Sequence, residues 1–465
     1  MIFALLVAFV DAKAQSFVGF LTENYSGVNS VIANPAYIVD SRFNTDINIF
    51  GFSVFGGNDY YNLNIIKAFK DDNYDFDANA RLSPKVNNNG EANIDFFGPS
   101  FMFNINKNNS IALFTRARSF ININGINGRG LYDIDKNISE DFLVTDDEFN
   151  AFGQAWAEIG LSFASVLYND MDDFIKGGIS LKYLRGGGSA YVAASNLSVY
   201  YDEGGTALPG GGTTGSVSST GDVIYGRFDD FEAYNYDYKF PINARGLGID
   251  IGFVYEWRPR YGKYKPTKVW PERFDFKDYN KYKLRLGFSV TDIGYINYAN
   301  GIEDVFDVTN NNVSEAAIYS QYDLYSFLSN LYSLTSTSVG YRAKLPTALH
   351  LNADWSFTNR FYLNVNMDLS VWSKINWRAN KITNMVSVTP RYESSWLSFY
   401  TPISLVQYSG LQVGTGLRLG PLYIGSSSLF TNLLSNKSKG SNFYVGFKIP
   451  ILQKGIDKGS NCNCY

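Results

Sequence analysis

The chain is short of the residues on which most metal sites and catalytic triads depend. It carries one His, His350, and two Cys, Cys462 and Cys464, among 465 residues. Zinc sites are built mainly from Cys and His, and Ser–His–Asp triads need a histidine at their centre. We therefore expect no catalytic residues, no metal site and no cofactor.

A basic surface and a long apolar run are lacking as well. The sequence has 40 Lys and Arg against 44 Asp and Glu, a net charge of −4. Nucleic-acid-binding domains usually present a basic face, so we expect no nucleic-acid partner. No run in the chain approaches the roughly 18 apolar residues of a membrane-spanning helix.

The N-terminus resembles an export signal. The apolar run from Ile2 to Val10 is followed by Ala12-Lys13-Ala14, a small-x-small cleavage pattern. A transmembrane helix is the alternative, but so short a run cannot cross a bilayer. We predict that residues 1–14 are a signal peptide and that Gln15 begins the exported protein.

What the chain has in abundance is aromatic residues and strand-like alternation. Phe, Tyr and Trp make up 17% of it. In FYLNVNMDLSV, residues 361–371, apolar residues alternate with polar ones, and the same period recurs at 283–291, 349–357 and 411–419. These runs have the length of a tilted membrane strand, about nine to eleven residues. A soluble sandwich gives the same alternation, so the period alone leaves both architectures open.

The connections between these runs favour a membrane barrel. Short turns at 358–359, 393–395 and 420–421 alternate with longer connections at 292–346, 373–383 and 429–441. Outer-membrane barrels have short turns at one rim and long loops at the other. We predict an all-β fold: a transmembrane antiparallel β-barrel of about 14 strands (12–16) over residues 46–451, in contact with outer-membrane lipid. We also expect a mobile loop at 202–222 and a short helix near 314–334.

Alternation also predicts which side chains face the inside of the barrel. Such polar and charged residues can hold a plug, line a pore, bind a polar ligand or form an ion-pair network that fills the barrel. The predicted lumen-facing residues are Arg116, Arg118, Glu158, Lys182, Asp250, Arg285, His350, Asp354, Asn364, Asn366, Asp368 and Arg418.

Several motifs resemble known outer-membrane families. NYSGVNSVIANPAYIVDSRFNTDINIFGF, residues 24–52, resembles the start of FadL-type and PorV-type barrels. GPSFMF (98–103), AWAEIGLSFA (155–164), LGFSVTDIGYINY (286–298) and GPLYIGS (420–426) are similar to a Bacteroidota barrel family known as a domain of unknown function, number 5723. The resemblance implies a plug-like segment at 15–45 that contains Asn34, Pro35 and Ala36.

The resemblance implies two functions. In the first, the barrel is not an enzyme and binds or passes small hydrophobic molecules, as FadL-type barrels do. In the second, it is a partner or scaffold in an envelope machine such as type IX secretion or gliding, with 258–282 and the periplasmic tail 452–465 as surfaces for envelope protein partners. A third possible function is an embedded hydrolase at His350 with Asp354 or Asp368, but the sequence has no G-x-S-x-G motif.

Overall fold

Among the described residues, fourteen antiparallel strands close into a β-barrel in the computed structural model. The structure describes residues 16–71, 73–75, 79–135, 141–170, 172–207, 213–228, 243–259, 280–373 and 376–453. The predicted signal peptide, residues 260–279 of the predicted 258–282 surface, and Cys462 and Cys464 lie outside this part of the chain.

The strands follow one another around the barrel in chain order, and several are interrupted. They are β1 (Phe43–Asn58), β2 (Asn88–Phe97 and Ser100–Asn104), β3 (Asn109–Ile126), β4 (Phe142–Asn169), β5 (Asp173–Ala207), β6 (Thr213–Phe228 and Ala244–Trp257), β7 (Leu284–Asp307 and Asn310–Ser314), β8 (Ser333–Lys344 and Ala348–Ser356), β9 (Phe361–Ser370), β10 (Met385–Glu393), β11 (Leu397–Tyr400 and Ile403–Val406), β12 (Gly410–Val413 and Thr415–Leu419), β13 (Leu422–Ser426) and β14 (Gly440–Leu452). The first and last strands pair, with Ile47 opposite Ile449, and this pairing closes the barrel.

The alternation along each strand separates two environments. On β9, Phe361 and Val365 are 54% and 39% exposed, whereas Asn364 and Asp368 are 1% and 7% exposed. Apolar side chains therefore cover the outside of the barrel, and polar side chains fill its interior. A closed barrel leaves no strand edge unpaired in lipid, and this apolar outer surface suits a bilayer. The protein is located in the outer membrane.

Two predicted loops are largely strand. β4 and β5 run for 28 and 35 residues, and β5 and β6 extend through most of 202–222. Within 292–346, only residues 315–332 connect β7 to β8. These extensions are rich in Ser, Thr, Gly and Asn and lie beyond the length needed to cross a bilayer. Because these extensions lie beyond the bilayer, their residues do not alternate regularly between apolar and polar. The alternation that predicts the membrane strands therefore could not predict the extensions.

The helices are short and lie in the connections. They span Ile65–Lys70, Gly128–Asp135, Glu315–Tyr319, Leu324–Leu331 and Leu429–Leu434. None of the helices in the described ranges is long and apolar enough to cross a membrane. The predicted helix near 314–334 corresponds to two of them, and both begin with a side-chain cap, from Ser314 and Asp323.

Candidate functional site

Residues 16–42, which we call the N-terminal segment, lie inside the barrel. The segment forms two 3-10 helices, Gly27–Ile32 and Pro35–Ile38, that are almost entirely buried. Between them, Asn34 accepts a hydrogen bond from the Ala36 amide at 2.9 Å. Its Nδ2 donates to the carbonyl oxygens of Phe253 and Phe288, each at 3.2 Å. One side chain thus caps the second helix and attaches it to β6 and β7.

Three glycines of the wall make room for this turn. A Cβ atom at Gly252 would lie 2.1 Å from Asn34 Oδ1, and one at Gly178 would lie 2.5 Å from the Pro35 carbonyl carbon. A Cβ at Gly287 would lie 2.5 Å from the Tyr37 hydroxyl oxygen. Any larger residue at these positions would collide with the segment. The wall of β5, β6 and β7 is therefore shaped to receive the segment.

Buried charges hold the segment at the rim of short turns. The Glu23 carboxylate accepts a hydrogen bond from Arg418 Nε at 2.9 Å. Lys448 Nζ donates to the Tyr25 carbonyl oxygen at 2.7 Å. These side chains are at most 3% exposed, so the contacts are made away from solvent. Removing one partner of such a buried pair leaves an uncompensated charge, which is strongly destabilising.

Asp40 makes a second buried ion pair near the end of the segment. Its Oδ2 accepts a hydrogen bond from Arg258 at 2.7 Å, and Lys281 Nζ lies 3.7 Å from its Oδ1. Burial by itself raises the pKa of Asp40, but the charges of Lys281 and Arg258 outweigh it and hold that pKa well below its usual value of 3.8. The carboxylate is therefore ionised at neutral pH, and it attracts both cations.

A loop enters the barrel from the opposite end. Residues 376–384, which we call the inserted loop, connect β9 to β10. Asn380 Nδ2 donates to Gln154 Oε1 at 2.6 Å, and the Lys381 amide donates to Asn122 Oδ1 at 2.9 Å. The Trp377 and Tyr191 rings lie 5.2 Å apart. The sequence places this connection at the rim of long loops but gives no sign that it folds inward.

The N-terminal segment and the inserted loop enclose a cavity between them, which we call the central cavity. It has a volume of about 100 Å³. Its lining combines apolar and polar side chains. Apolar ones include Phe17, Val18, Leu21, Ile32, Phe120, Ile382 and Met385; polar ones include Thr22, Asn93, Arg116, Arg118, Thr291, His350, Asn352, Asn364, Asn366 and Asp368.

The sequence matches a family model over most of its length. Residues 35–427 match the family described as "Family of unknown function (DUF5723)". The chain belongs to this family. Among curated proteins, no match was found. The family description names no activity, so the function of this DUF5723 barrel has to be argued from its site.

Solved barrels of similar length resemble the DUF5723 barrel at low sequence identity. The Ralstonia pickettii toluene transporter TbuX is 10% identical over 91% of this chain and 94% of that one, with a TM-score of 0.40. A Pseudomonas aeruginosa FadL homologue is 12% identical over 93% and 96%, with a TM-score of 0.41. The P. putida toluene transporter TodX is 9% identical over 92% and 95%, with a TM-score of 0.37.

His350 lines the central cavity of the DUF5723 barrel and contacts Asp368 rather than Asp354. Its Nδ1 lies 2.5 Å from Asp368 Oδ1, and its Nε2 lies 2.9 Å from Thr291 Oγ1. A threonine stands where a hydrolase would place its serine. A bulge in β7, with Asp292 at a φ of +58°, lets the adjacent Thr291 and Asp292 both face inward.

The other predicted lumen-facing residues form buried clusters in the wall. Near the cavity, Arg116 pairs with Asp95, and Arg118 pairs with Asp292 at 2.6 Å. Lys182 bridges Asp250 at 2.6 Å and Asp292 at 2.5 Å. Sequence reasoning missed Asp95 and Asp292. Asp95 alternates in the same way as its neighbours and could have been found, whereas Asp292 faces inward only because of the bulge.

Towards the rim of short turns, a second cluster centres on Asp354. Arg285 lies 3.2 Å and Arg391 2.9 Å from Asp354 Oδ2, and Asn364 Nδ2 donates to Asp354 Oδ1 at 3.2 Å. Arg285 also donates to the Thr22 carbonyl oxygen of the N-terminal segment. The remaining predicted residues also lie in the barrel interior. The Glu158 carboxylate lies 3.7 Å from the Arg116 guanidinium, and Asn366 Nδ2 donates a hydrogen bond to Asp368 Oδ2 at 2.7 Å.

The acidic side chains are partnered by cations rather than gathered around a metal. Across the described part of the chain, no group of three His, Cys, Asp or Glu is arranged to hold a metal ion. The site is thus a small cavity of mixed polarity between two folded-in segments.

Proposed function

We propose that this barrel binds small hydrophobic molecules and passes them across the outer membrane. The observation that carries the proposal is the central cavity, which lies in the middle of the lumen between the N-terminal segment and the inserted loop. A cavity so placed is where a passing molecule would pause.

The apolar part of the lining supports a hydrophobic cargo. Val18, Leu21 and Ile32 come from the N-terminal segment, and Ile382 and Met385 lie on and beside the inserted loop. Removing apolar surface from water favours binding by about 25 cal/mol per Å². A cavity of about 100 Å³ is smaller than the ~150 Å³ engineered cavity that binds benzene. We infer a cargo smaller than benzene, of about five non-hydrogen atoms.

Passage requires each enclosing segment to move, and neither is a strand of the wall. The inserted loop is attached through side chains such as Asn122 and Gln154 and through one backbone bridge, between Ala379 and Lys344 at the end of a β8 piece. The N-terminal segment is attached through Asn34, Glu23 and Asp40. The wall can therefore stay paired while either segment moves. Cargo would enter past the loop and leave past the segment.

The first test is channel conductance in a planar bilayer, with the wild type compared with a deletion of residues 15–40. The proposal expects current that appears or grows in the deletion variant, because the lumen would then be open at the rim of short turns. Absence of current in both proteins would mean a sealed barrel and would refute passage.

A second test examines the inserted loop. In a background in which Cys462 and Cys464 are Ser, the pair Asn122→Cys and Lys381→Cys can be joined by a short bis-methanethiosulfonate cross-linker, because the Asn122 side chain contacts the Lys381 backbone. In the 15–40 deletion, we expect the cross-linked pair to lower conductance and a reductant, which cleaves the link, to restore it. Equal current before and after reduction would show that the loop does not control entry.

We propose that the barrel has no enzymatic activity. Thr291 is a secondary alcohol at the position of a nucleophile, and His350 and Asp368 also serve the polar network of the wall. Hydrolysis of p-nitrophenyl esters by the purified barrel should be absent. An activity that disappears in His350→Ala would contradict this part of the proposal.

A partner or scaffold function is the second candidate, and one observation favours it. The first part of β8, Ser333–Lys344, pairs with β7 and with no other described strand. Its residues 333–340 are exposed, including Leu334 at 53% and Val339 at 72%. An exposed strand edge can pair with an extended segment of another protein. Cross-linking from position 336 in whole cells should capture an envelope protein if this function is correct.

A further inference from the structure

We infer that the central cavity selects a small neutral molecule with an apolar body and one hydroxyl group. The inference rests on the proposed function, and it names the chemical class of the cargo. It is carried by polar atoms of the lining that have no hydrogen-bond partner among the described residues: Arg118 Nε, Asn93 Oδ1 and Thr22 Oγ1.

These atoms belong to side chains that are well buried. Thr22 and Asn93 are each 8% exposed, and Arg118 is 6% exposed. A buried donor or acceptor without a partner costs about 1–3 kcal/mol, so such groups are rare unless something in the cavity satisfies them. Here all of them border one cavity, on β2, β3 and the N-terminal segment.

Arg118 and Asn93 form a complementary donor and acceptor. Arg118 lies opposite Asp95, and Asn93 lies opposite Phe120, so the two side chains are diagonal neighbours on adjacent strands. The guanidinium of Arg118 is fixed by Asp292 at 2.6 Å and by the Phe120 ring at 4.9 Å. Its Nε can donate while Asn93 Oδ1 accepts. A single hydroxyl group satisfies both atoms and Thr22 Oγ1 as well, because its oxygen can accept from Arg118 Nε and from the Thr22 hydroxyl while its hydrogen is donated to Asn93 Oδ1.

The charges of the wall argue against an anionic head group. Arg118 is paired with Asp292, and Lys182 is paired with both Asp292 and Asp250. A carboxylate in the cavity would therefore meet cations that are already compensated and would lie close to carboxylates. Burying a charge without a free partner is costly. A neutral hydroxyl avoids this cost.

The apolar side of the lining accounts for the rest of the ligand. Ile32 and Leu21 of the N-terminal segment and Met385 of β10 border the same cavity as Asn93 and Arg118. Both halves of an amphipathic molecule thus find a matching surface, the hydroxyl on β2 and β3 and the body on the segment and β10.

The test is calorimetric titration of the purified barrel with three probes of about five non-hydrogen atoms each, 1-butanol, pentane and propanoate, corrected for partition into detergent micelles. We expect 1-butanol to bind about 10-fold more tightly than pentane, as one to two hydrogen bonds allow. Propanoate should bind at least 10-fold more weakly than 1-butanol. In Asn93→Leu the preference for the hydroxyl should fall to about twofold or less. Ser404→Ala, which shortens a buried wall residue outside the cavity, should keep it.

The outcomes separate the two proposals. Equal binding of 1-butanol and pentane to the wild type, or tighter binding of propanoate, overturns the hydroxyl inference and leaves hydrophobic binding in place. Binding of none of the probes overturns both. If Asn93→Leu fails to fold, as judged by heat-modifiable gel mobility, Thr22→Val replaces it. That variant should reduce the preference, and an unchanged preference in it counts against the inference.

Discussion

Replacing Asn34 with Leu should unseat the N-terminal segment without disturbing the wall. Asn34 makes hydrogen bonds to the Ala36 amide and to the carbonyl oxygens of Phe253 and Phe288. The two bonds to the wall are worth about 1 kcal/mol net each, so the variant should lose about 2 kcal/mol of docking free energy. That loss shifts the equilibrium between docked and undocked segment about 30-fold. Leu branches at Cγ as Asn does and is larger, so the substitution leaves no cavity; it removes the hydrogen bonds and adds bulk next to Gly252.

The assay is single-channel recording in a planar bilayer, with the frequency of openings as the measured quantity. Asn124→Leu is the matched control, because it makes the same substitution at a buried wall residue that donates to Asn150 rather than to the segment. We expect frequent openings in Asn34→Leu and few in the control. Openings that stay within threefold of wild type, while the 15–40 deletion conducts freely, would show that Asn34 is not what holds the segment.

Three further results are expected. Gly178→Ala should also raise the opening frequency, because its Cβ would meet the segment backbone at 2.5 Å and overpacking costs about 1–3 kcal/mol; Gly90→Ala, with 3.7 Å to the nearest atom, should not. Because the pKa of Asp40 is lowered, its contribution to docking is fully present above pH 3.8 and is lost only as the pH falls through the lowered value. Bilayer recordings of the wild type should therefore show a closed barrel that stays closed at pH 4, whereas the D40N variant should conduct at pH 7. Leu351→Lys, on the lipid face, should destabilise the folded barrel by about 2–4 kcal/mol and so lower its yield on heat-modifiable gels. Asn106→Lys, in an exposed turn, should leave the yield unchanged.

The sequence predicts the structure best in strands whose two faces meet two different environments, lipid outside and the barrel interior inside. In 361–371 every second residue touches lipid, so alternation predicts the wall and the inward placement of Asn364 and Asp368. The same reasoning finds Arg285 and Arg418, and it needs no knowledge of the partners of these residues.

The parts that alternation could not predict depend on tertiary contacts. Asn380 and Lys381 are ordinary loop residues by type, and only the acceptors on β3 and β4 draw them inward. The bulge that turns Thr291 and Asp292 to the same side is set by the Asp250 carboxylate, which accepts from the Asp292 amide at 2.7 Å. Period-two alternation assumes an unbroken strand, so it assigns these neighbours to opposite faces.

The position of the N-terminal segment also determines the order in which the molecule can be completed. The first described residues contact some of the last: the Tyr444 hydroxyl donates to the Val18 carbonyl oxygen across 426 positions, and Arg418 meets Glu23 across 395. Contacts of such long range form late and slowly in folding. Residues 16–42 are synthesised before the strands that hold them, so they must wait until β14 has joined β1 before they reach their places. If the barrel passes molecules as proposed, we therefore expect a newly closed barrel to be open at the rim of short turns until the N-terminal segment has inserted.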